Sequence, residues 1–574
     1  MPIRGRFSTK RRFINSFLIV IILILLVLSF QLLFKLELIR RHTKLNYISF
    51  GLKLEKTNLS LQQDQTNSEG EKYVVDSTKC KIRNLDPYDP DILLVHQQNK
   101  YISCEKRGLL TYIEKKDDVA TLYINQERVK EYTDGSIYCC YSVITRSNVS
   151  EDALPTNRTI NVSLCQFFEY NVTIPSDLIL VICQDSQARE VYRNVHATIK
   201  IKNAAKKKMQ LFNTKRKKYP SVLFIGIDSV SRTNLIRSLP STYLFLKENG
   251  WLEFKGYNKV GDNTFPNLMA LLTGLNETTT LKICDPQIEG SLDKCKMLWY
   301  SYRDLGYITA FAEDESNIGT FNNLKKGFKN EPTDYYFRAY ITATETLLTK
   351  LELDRRWYCT GPEVAGERIF NLARDFVTTF KRYPNFGLFW MNSYSHDNVN
   401  AVSRMDERIL SFLTDLSTHN ILQNSIVIFL SDHGSRYKPI LNTSAGWLEN
   451  RLPFLYMWIP KWLREKHSNK YKNLIKNTKR LISTYDLYMT IQDILLLSGK
   501  NYSIEQSRGC PKCKSLFEEV DKERSCEDAG IQDNWCACHD VTNIQKTREI
   551  VICAAKFFIS EIRKVYESFS RYLL

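Results

Sequence analysis

From residue 219 onward the chain alternates between short, unbroken apolar runs and longer stretches with helical spacing. The first run, Ser221–Ile227, is rich in β-branched residues and stops at Asp228. Such a run reads as a parallel strand covered on both faces. The pattern predicts further strands over 307–312, 386–391, 425–430 and 454–459. Between and after them it predicts helices over 234–249, 362–380, 403–417, 486–498 and 547–567. The fold class that follows is α/β, a largely parallel sheet flanked by helices. Four of the strands end in polar clusters: Asp228; Glu313-Asp314-Glu315; Asn392-Ser-Tyr-Ser-His396-Asp397; and Ser-Asp432-His433-Gly-Ser-Arg436. Ligands bind beyond the carboxyl ends of strands in open α/β sheets, so these clusters mark one sheet edge as the place of chemistry.

A second stretch belongs to the same region. Asp262-Asn-Thr264-Phe-Pro-Asn-Leu268 runs into Met-Ala-Leu-Leu-Thr-Gly274. Pro266 suits the first turn of a helix and Gly274 its exit. Thr264 is then expected at a helix N-terminus, where free N–H groups and the dipole favour an anion.

Ahead of residue 219 the pattern changes. Residues 17–34 are Leu/Ile/Val-rich, interrupted only by Ser29 and Gln31. That is long enough to cross a bilayer, and Lys-Leu-Glu-Leu-Ile-Arg-Arg after it offers no small-residue cleavage site. The sequence therefore divides into a cytoplasmic tail (1–12), a transmembrane signal anchor (13–34) and a polar stalk (35–72). A cysteine-containing β-rich region (73–199), a basic linker (200–218) and the α/β domain (219–500) follow. A cysteine-rich C-terminal segment with a terminal helix (501–574) completes the chain.

The net charge of +17 suggests a nucleic-acid partner until it is located. Residues 1–44 carry nine basic residues against Glu37, and 200–218 carry nine with no acid. These two blocks account for the whole excess, the folded body is neutral, and no nucleic-acid partner is expected. Eight Asn-x-Ser/Thr sequons follow the apolar span, at Asn58, Asn148, Asn157, Asn161, Asn171, Asn276, Asn442 and Asn501. All 15 cysteines lie beyond it too. N-linked glycans and disulfides both belong to an oxidising compartment. A single-pass type II membrane protein with its body in the secretory lumen or outside the cell is the expectation. Disulfides are also expected in preference to zinc at Cys510, Cys513, Cys526, Cys536 and Cys538. Cys284 and Cys295 suit a local pair, and the odd total leaves one thiol over.

Taken singly, Asp228 and Thr264 suit helix caps, Asp-His-Gly suits a turn, and His396 suits a surface or core histidine. Glu313 and Asp314 suit an arginine-paired structural role as well as a catalytic one. Together the motifs resemble the alkaline phosphatase superfamily of phosphatases, phosphodiesterases, phosphoethanolamine transferases and sulfatases. With Ala312-Glu-Asp-Glu315 and Lys325-Lys-Gly-Phe328, the wording resembles the nematode-expanded family called domain of unknown function 229. The resemblance implies that Thr264 is nucleophile and metal ligand, and that Asp228, Asp432 and His433 bind the same metal. Carboxylate, hydroxyl and imidazole together suit zinc or manganese.

The superfamily's second metal site is only weakly furnished, because Asn392 stands where an aspartate usually precedes His396. Only His467 and His539 lie further downstream. One metal site is therefore expected, with an aspartate at 392 favouring a second. The implied activity is hydrolysis or transfer of a phosphoester through a phosphothreonine at Thr264. The alternatives are a sulfate-ester hydrolase, disfavoured because the core lacks Cys/Ser-x-Pro-x-Arg, and a catalytically weak ectodomain that binds a ligand or partner.

The topology has a direct test. Expression in a secretory cell is expected to give a product whose mass falls on glycosidase treatment and whose gel mobility changes on reduction. A product insensitive to both treatments would contradict the lumenal placement.

Overall fold

The computed structural model describes residues 72–116, 118–147, 160–212, 218–539 and 547–570. The expected membrane anchor and nearly all of the expected stalk lie outside these residues. Among the described residues no helix is long and apolar enough to cross a membrane.

The central sheet has seven strands. In chain order they are β1 (Ser221–Ile227), β2 (Leu252–Glu253), β3 (Ile308–Glu313), β4 (Tyr335–Tyr336), β5 (Asn385–Met391), β6 (Ser425–Leu430) and β7 (Leu455–Trp458). Their spatial order is β2-β7-β6-β1-β5-β3-β4. Strands β6, β1, β5, β3 and β4 are parallel, so their carboxyl ends share one edge. The sheet is mixed rather than wholly parallel. β7 leaves from the edge where β6 ends, so it returns antiparallel, and β2 pairs antiparallel with it.

Alternation along the strands explains the unbroken apolar runs. Leu223, Ile225 and Ile227 of β1 face a core built with helices Ala365–Thr379 and Asp406–Thr418. Val222 and Phe224 face a second core with Leu298–Asp304 and Thr484–Leu497. Both faces are covered, so no position in β1 needs to be polar. Gly226 has a local reason. A Cβ there would lie 1.9 Å from the ring of Trp390, its register partner on β5.

The helix expected over 234–249 forms as two, Arg232–Ser238 and Pro240–Glu248. Pro240 lacks an N–H and restarts the helix at its first turn, which explains the break. The other expected helices appear with ends shifted by a few residues, as Ala365–Thr379, Asp406–Thr418, Thr484–Leu497 and Glu549–Ser570.

Residues 73–574 form one compact unit. Within its N-terminal part, strands Ile137–Arg146, Leu178–Asp185 and Glu190–Ala197 make an antiparallel sheet. Cys139–Cys183 joins directly opposed residues of two of these strands, and Cys140–Cys165 lies beside it. Two bridges leave the region, Cys104–Cys359 and Cys80–Cys538. Cys284–Cys295, Cys510–Cys513 and Cys526–Cys536 complete the set, and exposed Cys553 is the leftover thiol. The basic stretch after residue 200 holds a helix, Asn203–Gln210, whose Lys208 Nζ lies 2.7 Å from Asp334 beside β4. That lysine is a structural ion pair, not a solvated charge.

His196 sits buried in the N-terminal sheet, its Nε2 2.7 Å from Thr111 Oγ1. Burial pulls its imidazole down to about 4 from the usual 6.5. Between those values the unfolded chain holds a proton that the folded chain does not, so acid favours unfolding. Stability present above pH 6.5 is lost progressively as the pH falls toward 4. Thermal unfolding should therefore weaken more steeply between pH 7 and pH 5 in the natural chain than in His196→Gln; equal slopes would contradict this role.

Candidate active site

Asp228 follows β1 directly, and its N–H continues the ladder by donating to Met391 O at 2.9 Å. The next residue, Ser229, adopts a left-handed backbone with φ 62°. A non-glycine residue holds that conformation only when its surroundings over-determine it. Here Ser229 N donates to Asp432 Oδ1 at 3.2 Å, and its hydroxyl donates to Asp228 Oδ1 at 2.9 Å. Asp432 Oδ1 also accepts the N–H of His433 at 2.9 Å. The turn between β6 and the following segment is equally constrained, since a Cβ on Gly434 would meet Glu449 O at 2.0 Å.

His433 Nδ1 lies 2.9 Å from Gly434 O. A carbonyl can only accept, so Nδ1 carries the proton and Nε2 presents a lone pair. That nitrogen is 3.3 Å from Asp432 Oδ2 and 3.7 Å from Asp228 Oδ1. Asp228 Oδ2, Asp432 Oδ2 and His433 Nε2 are all buried and have no hydrogen-bond partner. Asp228, Asp432 and His433 each offer one ligand atom, all within 4.8 Å of one another.

Burial, then the neighbouring Asp432, pushes the Asp228 carboxyl up to about 7, and burial pulls His433 down to about 4. Two crowded carboxylates with a neutral imidazole lone pair make a donor set that a divalent cation satisfies. The residues present fit a divalent metal ion.

Thr264 opens the helix Thr264–Thr273, whose exit at Gly274 is left-handed with φ 66°. The loop before it is tied by Asn267. Its Oδ1 accepts from Val260 N at 2.8 Å, and its Nδ2 donates to Asn263 O at 2.9 Å. Beside this helix start opens a cavity of about 730 Å³, bordered by Val260, Asp262, Pro266, Glu277, Tyr485 and Trp535.

Asn392 is held by Asp314 at the end of β3. Its backbone N–H and its side-chain Nδ2 donate to Asp314 Oδ1 at 2.7 and 3.3 Å. Asp314 also accepts from the N–H and hydroxyl of Ser393, so the end of β3 holds the segment after β5. An aspartate at 392 would therefore face another carboxylate.

His396 Nδ1 lies 3.2 Å from Asp397 Oδ2, and Asp397 is clamped in turn by Arg355 and Arg356. Hydrogen bonds from His396 and Arg356 outweigh burial and hold the Asp397 carboxyl down at about 2. His396 Nε2 is 3.9 Å from Asp228 Oδ2 and 3.5 Å from Arg436 Nη2. Burial lowers the His396 imidazole, but Asp228 and Asp397 reverse this and leave it raised overall. His467 has Lys466, Lys470 and Asp493 as its charged neighbours.

Sequence reasoning missed Ser229, Asn267 and Arg436 as working parts. Asn267 and Arg436 stand inside the quoted motifs, so proximity to those motifs was the available signal. The conformation of Ser229 had none.

Comparison with known proteins adds a family. None of the curated proteins matches the chain. Among solved structures, a protein in the alkaline phosphatase superfamily from Vibrio parahaemolyticus is 16% identical over 54% of this chain and 73% of its own, with TM-score 0.38. The lipoteichoic acid synthase LtaP from Listeria monocytogenes is 13% identical over 53% and 76%, with TM-score 0.34. The C-terminal periplasmic domain of phosphoethanolamine transferase EptC from Campylobacter jejuni is 14% identical over 49% and 90%, with TM-score 0.30. Likenesses at that level decide neither fold nor activity. The family model described as "Protein of unknown function (DUF229)" matches residues 97–572, and the chain belongs to that family.

Proposed function

We propose that this protein is a metal-dependent phosphoester hydrolase or phosphoryl-group transferase whose nucleophile is Thr264. It acts as a type II membrane glycoprotein on the lumenal or extracellular side. The observation that carries the reading is the meeting of three buried, unpartnered ligand atoms on Asp228, Asp432 and His433 at one edge of a parallel sheet.

Asp228, Asp432, His433 and Thr264 would hold one zinc or manganese ion. Such an ion, when bound, supplies positive charge that favours the ionised hydroxyl and offsets charge gained by the transferred group. The chain's own residues do the rest. Asn267 holds the loop that presents Thr264 at the helix N-terminus, where the dipole favours an anion. Thr264 Oγ forms a bond to phosphorus as the ester's alcohol leaves with a proton, and the phosphothreonine then passes the group to water or to a second alcohol.

Replacing Thr264 with alanine is expected to abolish turnover of chromogenic phosphate esters, while the thermal transition stays near that of the natural chain. Thr264→Ser should retain part of the activity. An alanine variant that keeps most of its activity would remove this mechanism.

A further inference from the structure

The sequon Asn171-Val-Thr173 falls on a three-residue strand at the edge of a small antiparallel sheet. Beside it runs strand Val119–Ile124, and beyond that strand Thr111–Lys116. Asn171 is opposite Tyr123, and Tyr123 is opposite Tyr112. Opposed residues of an antiparallel pair share one face, with Cβ atoms about 5 Å apart. The three side chains therefore stand in one row across the sheet. Burial shows which face carries the row. Leu122 and Ile124, which alternate with Tyr123, are buried, and Val172, next to Asn171, packs against the same core. Asn171 and Tyr112 are exposed and Tyr123 is half-buried, so the row lies on the outer face.

The two tyrosines are stacked, with ring centroids 5.5 Å apart and planes at 16°. Tyr112 thus covers one face of Tyr123 and leaves the other on the side of Asn171. Among the described residues no further strand pairs with Asn171–Thr173, so its outer backbone groups form a free edge. An open aromatic face, a free edge and a glycan acceptor meet at one place.

We propose that Asn171 carries an N-linked glycan whose first N-acetylglucosamine lies against the open face of Tyr123. In its addition the sugar's anomeric carbon bonds to Asn171 Nδ2, its bond to a lipid-linked pyrophosphate breaks, and the amide loses one proton. An aromatic face is electron-rich and attracts the slightly positive C–H groups on the apolar side of a pyranose. The sugar so placed covers the tyrosine row and screens the strand edge from pairing with another chain. Asn161, also exposed on a strand, is opposed by Thr145 instead, and it serves as the internal comparison. This rests on the lumenal or extracellular placement proposed above, because the glycan is added in the secretory pathway.

The test uses the full chain from a secretory cell, as natural protein, Tyr123→Phe, Tyr123→Thr and Asn171→Gln. Glycopeptide mass spectrometry gives the occupancy of each sequon. Timed digestion of the folded protein with a peptide N-glycosidase gives the release rate at each. Tyr123→Thr should speed release at Asn171 about two- to tenfold, the range one aromatic contact carries, and leave Asn161 unchanged. Tyr123→Phe keeps the ring and should match the natural chain. A second measurement leaves the tyrosine in place. Asn171→Gln should raise nitration of Tyr123 by tetranitromethane to a similar extent, with exposed Tyr138 unaffected.

Glycans at other sequons with none at Asn171 would overturn the proposal. So would release at Asn171 and nitration of Tyr123 that both ignore these substitutions. A chain with no glycan at any sequon would instead overturn the lumenal placement itself.

Discussion

Asp228 and Asp432 lie buried side by side at the end of a parallel sheet, and water reaches neither carboxylate. Burial and mutual repulsion both penalise that placement, and raise the Asp228 carboxyl toward neutrality. The surrounding structure holds the pair there nonetheless. Ser229 accepts a strained backbone to donate to both carboxylates, Gly434 permits a backbone approach that no side chain would allow, and the His433 ring is set by a carbonyl. So much local constraint around an unfavourable charge pair makes sense when a cation is the missing partner.

The sheet order brings these groups together. β1 lies between β5 and β6, so Asp228 is flanked by the polar ends of both neighbours. β3 lies one strand further out, and its terminal Glu313-Asp314-Glu315 ties neighbouring segments in place. Glu313 accepts from the N–H and hydroxyl of Thr320, Asp314 ties Asn392 and Ser393, and Glu315 reaches Arg356. Three consecutive acids thereby hold three different segments of the chain. Burial pushes Glu313 up to about 7 and Glu315 up to about 8, which suits groups that give structure in a dry environment.

Disulfides connect the outlying parts to this body. Cys104–Cys359 and Cys80–Cys538 join the N-terminal region to segments far away in sequence. A bridge that closes so long a loop restricts the unfolded chain strongly in the chain-entropy account. The cysteine-rich tail is used the same way, and its Trp535 also borders the cavity beside the Thr264 helix.

The apolar runs at 221–227 and 425–430, and the Pro266 and Gly274 punctuation of the Thr264 helix, were legible in the sequence because local periodicity and backbone chemistry decide them. So was the convergence of strand-end motifs, since parallel strands must present their carboxyl ends on one edge. The cysteine total already implied a leftover thiol. Partner choice was not legible. That Asn392 pairs with Asp314, and which distant cysteine Cys80 finds, are decided by contacts between segments 78 and 458 residues apart. The antiparallel return of β7 and the strain at Ser229 belong with these. Neither follows from residue type or spacing, because each arises only when separate segments compete for the same space and the same hydrogen-bond partners.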